Sequence, residues 1–196
     1  MTSPDYTRAI FVRDPKSRFL SAFLDKGMGN FDGFVLAKCC PQTRDCAEQA
    51  QTSEGFLKLI HKCSDPHWDP QAARMEAKYW KYINFVGHFE QLSQDGPALL
   101  KKIGAWDEFG TTGWGKYGNG TLFQTSAADQ THTTGSSGKV WQWLFPALER
   151  KIESYYEGDY KHPLFDFHIT NLTKDFWIKG TDKIYAKGPW DGAPIV

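Results

Sequence analysis

The stretch that decides the fold is Arg8-Ala-Ile-Phe-Val-Arg-Asp-Pro-Lys-Ser-Arg-Phe-Leu-Ser-Ala-Phe23. Its opening run from Arg8 to Val12 is mostly apolar and predicts a short buried strand. Asp14 and Pro15 follow as a helix N-cap residue and a first-turn proline, so the strand should lead directly into a helix. Apolar residues at helical spacing extend this helix over residues 15–25, and the glycines that follow should end it.

The rest of the chain alternates between helices and one further strand. We predict a strand over residues 82–86 that ends at Gly87, and helices over residues 53–63, 72–79, 90–103 and 146–157. Gly96-Pro97 should interrupt the third of these helices, and Gly158 should cap the fourth. Residues 39–52 are polar and contain cysteines, which predicts an excursion rather than a core element. Residues 110–138 are rich in Gly, Thr and Ser and predict a long loop.

Length and composition indicate one globular domain over residues 1–196, with a tail of uncertain structure over residues 168–196. The chain is 40% hydrophobic and 15% aromatic, which suffices for a single core. Its formal net charge is zero, so no overall field favours nucleic acid or an acidic membrane surface as a partner. No apolar run approaches the roughly 20 residues that span a bilayer, and the N-terminus does not resemble a signal peptide.

The cysteines favour an oxidising compartment. Cys39, Cys40, Cys46 and Cys63 form an even set within a short stretch, which suits two disulfides whose pairing the sequence leaves open. A metal site is the weaker alternative because no CxxC spacing occurs. Asn119 begins one of two tripeptides, 119–121 and 171–173, that would be glycosylated in a secretory protein.

The candidate binding residues follow the first strand. Arg13 stands at the carboxyl end of that strand, where α/β sheets bind ligands, and Arg18 and Ser21 share one face of the following helix. An arginine, a hydroxyl and the start of a helix suit a phosphate dianion. The alternative is that Arg13 pairs with a nearby carboxylate, Arg18 is solvated and Ser21 is a packing residue.

This segment resembles the 3′-phosphate-binding motif of sulfotransferases that use 3′-phosphoadenosine-5′-phosphosulfate (PAPS), especially the Golgi carbohydrate sulfotransferases. The resemblance implies that Arg13 and Ser21 bind the 3′-phosphate and that Arg18 supports them. Residues 65–70, Asp-Pro-His-Trp-Asp-Pro, look like the family's His-Trp-x-Pro element, and residues 85–92 are similar to its strand and Glu-x-Leu turn. The similarity extends over about the first 167 residues.

The resemblance also implies a fold, a reaction and a location. We expect an α/β, P-loop-type sulfotransferase fold with a parallel central sheet. PAPS would be the co-substrate, no metal would be needed, and a glycan hydroxyl would be the acceptor. The family places its 5′-phosphosulfate loop well before the Arg-Asp-Pro motif, so we expect the N-terminal portion to be missing and the chain as given to transfer sulfate slowly. Its location would be the Golgi lumen, with an N-terminal membrane anchor in a full-length form.

Two histidines are further candidates for the site. His67 could act as a general base toward the acceptor hydroxyl, although packing beside Trp68 is the commoner role for such a histidine. His132 lies among threonines in the long loop and could contact the cofactor or the acceptor, or be solvated. Glu90 is read as structural. A different class of function stays open as well, namely a non-catalytic nucleotide- or glycan-binding module derived from a sulfotransferase.

Overall fold

The predicted unit of strand and helix opens the fold of the computed structural model, which describes residues 5–28, 33–41, 44–110 and 143–169. Strand β1 covers Ala9–Val12, helix α1 covers Pro15–Ala22, and a π-helical turn, Phe23–Gly27, continues α1. The Asp14 side chain accepts a hydrogen bond of 2.8 Å from the backbone N–H of Ser17, and Pro15 occupies the first turn. The prediction of a capped helix after a strand is confirmed.

The second strand, β2, covers Phe85–His88 and pairs with β1 in parallel, with Ala9 opposite Phe85 and Val12 opposite His88. The predicted bounds of 82–86 were wrong. The N–H groups of Tyr82 and Ile83 instead close turns onto Tyr79 and Trp80, so the chain is extended only from Phe85. Gly87 does not end the strand, because it lies inside β2 and opposite Phe11.

The remaining elements are mostly short helices. The α-helices are α2 (Phe34–Cys39), α3 (Arg44–Gln49), α4 (Ser53–Ile60), α5 (Ala77–Trp80), α6 (Leu92–Lys102), α7 (Pro146–Tyr155) and α8 (Glu157–Tyr160). Two 3₁₀ turns cover Gln71–Arg74 and Phe89–Gln91, and a second π-helical turn covers Trp106–Gly110.

Three predictions about helices were wrong. The helix predicted over residues 72–79 is a 3₁₀ turn, Gln71–Arg74, followed by the separate short helix α5. Pro97 lies inside α6 without interrupting it. It comes just after the first turn, whose N–H groups lack helical partners anyway, so the proline removes only one further hydrogen bond. Gly158 does not cap α7 either, because it belongs to α8.

The segment with the cysteines is not the excursion that its polarity predicted. It begins at the last residue of α2 and contains α3, and Cys40, Ala47 and Ala50 are buried in the main core. The predicted disulfides are confirmed. Cys39 is bonded to Cys63, and Cys40 is bonded to Cys46. These two bonds let a segment with few large apolar side chains join the core.

The main core lies between α1, α4 and α7. Its fully buried side chains include Phe19 of α1, Phe23 of the π-helical turn after α1, Phe56 of α4 and Ile152 of α7, together with Trp68 from the connection after α4. A smaller cluster of Val12, Trp80 and Phe165 is packed beside the sheet. Helix α1 is thus fixed by the core, and the end of β1 that precedes it is fixed as well.

A buried ion pair also joins α1 to α7. The side chain of Lys16 is completely buried, and its Nζ lies 2.5 Å from Glu153 Oε1 and 3.6 Å from Glu149 Oε1. A buried ammonium group needs such partners because desolvation alone would strongly disfavour its charge.

In the described residues, the architecture is therefore a helical layer around a two-stranded parallel sheet. None of the helices in this part of the chain is long and apolar enough to cross a bilayer.

Candidate functional site

A cleft of about 470 Å³ opens at the carboxyl end of β1. Four predicted site residues line it, namely Arg13, Arg18, Ser21 and His67. The end of β1 and helix α1 form one wall, and the connection from Pro66 to Arg74 forms the other. Ligands of open α/β sheets bind at this position relative to the strands.

Arg13 follows β1 directly, and its guanidinium is held by two neighbours. Its Nε lies 3.9 Å from Glu90 Oε1, and its Cζ lies 4.8 Å above the centre of the Phe89 ring. Burial lowers the pKa of Arg13, while the Glu90 and Asp14 carboxylates oppose that shift. A dianion in the cleft would offset the same desolvation, so the position favours an anionic ligand.

Arg18 has a different role from Arg13. Its Nη1 donates to the carbonyl of Asp69 at 2.7 Å, and its Nη2 donates to the carbonyl of Pro66 at 2.8 Å. Burial lowers the pKa of Arg18 as well. Both distal nitrogens of the guanidinium thus hold the connection that carries His67.

His67 reaches the cleft from this connection and is oriented by a buried carboxylate. Its Nδ1 lies 2.5 Å from Asp65 Oδ1, and its backbone N–H donates to the same oxygen at 2.8 Å. Lys38 of α2 binds the other carboxylate oxygen. Because a carboxylate only accepts hydrogen bonds, Nδ1 carries the proton and Nε2 is left as an acceptor in the neutral ring.

Asp65 stays ionised over most of the pH range. Burial alone would raise the pKa of Asp65, but the hydrogen bonds from Lys38 and His67 outweigh burial and lower the pKa to about 2. The side chain of Asp65 is 3% exposed, whereas that of His67 is 46% exposed. The pair therefore consists of a fixed buried carboxylate and a ring that is accessible from the cleft.

Trp68 is a packing residue. It is fully buried, its Nε1 donates to the carbonyl of Cys63 at 2.6 Å, and its ring makes edge contacts with Phe34 and Phe56. The hydroxyl of Tyr156 donates a hydrogen bond of 2.6 Å to the backbone carbonyl of Trp68. The His-Trp element thus has Trp68 anchored in the core and His67 turned toward the cleft.

Sequence reasoning missed several residues of this site. Arg74 lines the cleft, and its positive charge repels that of Arg18, which helps to lower the pKa of Arg18. Gln71 lines it too and binds the backbone of Arg13. Both residues lie within four residues after the His-Trp-Asp-Pro element, and this position could have marked them as candidates for the site. Asp65 stands within the same element, but its contact with His67 could only be seen once the turn was built.

Glu90 and His132 are the remaining residues that the sequence analysis considered for the site. Glu90 contacts the motif, because its Oε1 accepts a hydrogen bond of 3.0 Å from the N–H of Asp14. His132 lies outside the described residues. In the described part of the chain, no group of three or more His, Cys, Asp or Glu side chains could hold a metal ion.

Comparison with known proteins identifies the family of the chain. The family model described as "Sulfotransferase family" matches residues 1–168. Human carbohydrate sulfotransferase 9 is 32% identical over 117 residues, which is 51% of this chain and 26% of that protein. Carbohydrate sulfotransferase 12 of Xenopus laevis is 25% identical over 179 residues, which is 79% of this chain and 39% of that protein.

The chain therefore spans less than half of the length of either relative. No solved structure matches it. The family match covers both walls of the cleft, from Arg13 to Arg74. The chain belongs to the sulfotransferase family.

Proposed function

We propose that this chain binds PAPS through its 3′-phosphate in the cleft at the end of β1 and takes part in the transfer of the sulfuryl group to a carbohydrate hydroxyl. The observation that carries the proposal is that the motif residues Arg13, Arg18 and Ser21 line one cleft together with His67, which is more than 40 residues away in sequence. The names of the relatives support a carbohydrate acceptor.

The cleft fits a nucleotide phosphate in size and in charge. Its volume of about 470 Å³ lies within the range of about 300–1,000 Å³ that small-molecule sites occupy. The charged residues among its described lining are Arg13, Arg18 and Arg74 on the basic side and Asp25 on the acidic side. Arg13 would pair with the 3′-phosphate, and Ser21 would donate its hydroxyl.

His67 would act on the acceptor. PAPS, when bound, supplies the sulfuryl group, and the acceptor hydroxyl must lose its proton during the transfer. With Nδ1–H held by Asp65, the Nε2 of His67 is the atom that can take this proton. Asp65 would keep the ring in the correct tautomer and stabilise the charge that the ring gains, as a buried carboxylate does for a catalytic histidine.

The setting of the enzyme follows from the family and the disulfides. We infer a P-loop-type fold in which the described β1 and β2 are two strands of a larger parallel sheet. The Cys39–Cys63 and Cys40–Cys46 bonds suit an oxidising compartment such as the Golgi lumen. We assign no metal to the reaction, because positioning and charge stabilisation by side chains can carry it.

Calorimetry with two nucleotides tests the binding proposal. The chain should bind adenosine 3′,5′-bisphosphate more tightly than adenosine 5′-monophosphate, because only the first carries the 3′-phosphate. Arg13→Ala should weaken the bisphosphate complex by about 1.5–3 kcal/mol, the range for hydrogen bonds to charged groups. Arg150→Ala on the exposed face of α7 is the matched control and should change neither affinity. Equal affinities for the two nucleotides would refute the proposal.

Sulfate transfer separates an enzyme from a binding module. His67→Gln should lower the transfer of labelled sulfate from PAPS to a panel of glycans by about 100-fold, within the usual range for general base catalysis. The affinity for the bisphosphate should stay unchanged, since His67 acts on the acceptor. Unaltered transfer by His67→Gln would exclude this residue as the base. An N-terminally extended form that carries the 5′-phosphosulfate loop is assayed beside the chain as given. If that form binds the nucleotide but transfers no sulfate, the protein is the non-catalytic module.

A further inference from the structure

The backbone of Arg13 is held by a side chain rather than by a strand. The sheet register ends with the pair Val12 and His88, so Arg13 comes just after the ladder. The N–H of Arg13 donates to Gln71 Oε1 at 2.8 Å, and the carbonyl of Arg13 accepts from Gln71 Nε2 at 2.8 Å. One carboxamide therefore makes the two hydrogen bonds that a neighbouring strand would make, and it fixes both peptide planes that flank the Cα of Arg13.

Gln71 is in turn held by Asp159 of α8. The Oδ2 of Asp159 accepts from the backbone N–H of Gln71 at 2.9 Å and from its Nε2 at 3.3 Å, and Oδ1 accepts from the N–H of Ala72 at 2.7 Å. Gln71 is 7% exposed and Asp159 is completely buried. Hydrogen bonds to an ionised carboxylate in such a setting are shorter and stronger than neutral ones.

We propose that Gln71 and Asp159 are positioning residues for the 3′-phosphate site. Asp159 sets the rotamer of Gln71, and Gln71 sets the direction in which Arg13 leaves the end of β1. The affinity for the 3′-phosphate thus depends on a residue near the end of the matched family region, which touches no ligand. This inference rests on the proposed function, because it takes the 3′-phosphate to be the ligand of Arg13.

Asp159 distinguishes this role from direct binding. Gln71 lines the cleft and could contact a ligand itself, whereas Asp159 is fully buried and is not part of the cleft's lining. Asp159 reaches the cleft through Gln71 and the backbone of Arg13, and its charge also acts on Arg18. A parallel loss in Gln71→Met, which leaves that charge in place, assigns the effect to the first route. Misplacing a charged group by about 1 Å can cost on the order of a hundredfold in function, so the effect should be measurable.

The experiment measures phosphate selectivity in the 196-residue chain. Selectivity is the affinity for adenosine 3′,5′-bisphosphate divided by that for adenosine 5′-monophosphate, each measured by calorimetry at a temperature where thermal unfolding shows the variant to be folded. Asp159→Asn places an amide against N–H donors, and Gln71→Met removes both hydrogen bonds to Arg13 at similar volume. Both variants should lower the selectivity by about fivefold or more, while their affinity for the monophosphate changes less.

Ser53→Ala is the matched control. It also removes a buried hydrogen bond between distant segments, from Ser53 Oγ to the carbonyl of Trp143 at 2.7 Å, but it lies outside the cleft. It should lower the thermal stability and leave the selectivity unchanged. If Asp159→Asn does not fold, Asp159→Glu, which keeps the charge but displaces the carboxylate, replaces it.

The outcomes separate this inference from the function on which it rests. If the wild type is selective and the folded Asp159 variant is equally selective, the positioning role is overturned and the proposed function stays intact. Loss of selectivity in Gln71→Met alone would also overturn it, because Gln71 would then act by direct contact. An equal loss in Ser53→Ala would reduce the effect to general destabilisation. A wild-type chain without selectivity would refute the proposed function itself.

Discussion

The two disulfides should stabilise the chain by different amounts because they close loops of different length. Cys39 and Cys63 are 24 residues apart, and Cys40 and Cys46 are 6 residues apart. Loop-closure entropy in the unfolded state predicts about 3.4 kcal/mol for the longer loop and about 2.2 kcal/mol for the shorter one. The longer bond also ties α2 to the start of the connection that carries Asp65 and His67.

Two double variants, Cys39→Ala with Cys63→Ala and Cys40→Ala with Cys46→Ala, test this difference. Denaturant unfolding followed by tryptophan fluorescence gives the free energy of unfolding of each variant and of the wild type. The same measurements in a thiol reductant give the packing cost alone, since no protein then has a cross-link. The loss of unfolding free energy without reductant, minus the loss with reductant, gives the stabilising contribution of each disulfide.

We expect the isolated contribution of Cys39–Cys63 to exceed that of Cys40–Cys46 by about 1 kcal/mol. Equal contributions, or a larger one from the short loop, would refute the reasoning from loop length. Such a result would mean that residual structure in the unfolded chain already holds α2 near Cys63.

The other predictions concern a charge and a close contact. Asp65 has its pKa lowered to about 2, so it should stabilise the fold by about 2 kcal/mol above pH 4 or so and lose this contribution as the pH falls toward 2. The difference in unfolding free energy between the wild type and Asp65→Asn should shrink over that window, and a constant difference would contradict it. Gly87→Ala would place a methyl group 2.4 Å from the Phe11 ring and should cost about 1 kcal/mol. The cost should fall when Phe11→Ala is also present, and an unchanged cost would exclude this clash.

Local sequence signals predicted the first part of the fold well. β1, the Asp14 cap and α1 depend on neighbouring residues, and each lies where the sequence indicated. The placement of β2 was less accurate because Tyr82 and Ile83 are as apolar as a strand requires, yet they belong to the turns that end α5. The burial of Cys40, Ala47 and Ala50 was missed because it depends on the disulfides and on α4, which no local pattern displays.

The residues of the candidate site were also predictable only where they are close together in sequence. Arg13, Arg18 and Ser21 stand within one short motif, so their spacing could be interpreted without the structure. Asp65 and Lys38 meet across 27 residues, and Gln71 and Asp159 meet across 88. Such pairs could not be predicted from one sequence, because many carboxylates and amides in the chain are chemically equivalent candidates.

The structure gives the two arginines of the motif different contacts. Arg18 has both distal nitrogens bonded to backbone carbonyls, so replacing it would first loosen the connection from Pro66 to Asp69. Arg13 contacts Glu90 and Phe89 from the cleft wall, and its backbone is fixed from behind by Gln71. A guanidinium fixed in this way loses little freedom when it binds a phosphate, because its direction is set before the ligand arrives. Arg18 therefore holds the wall that carries His67, and Arg13 is the arginine that we propose to bind the anion.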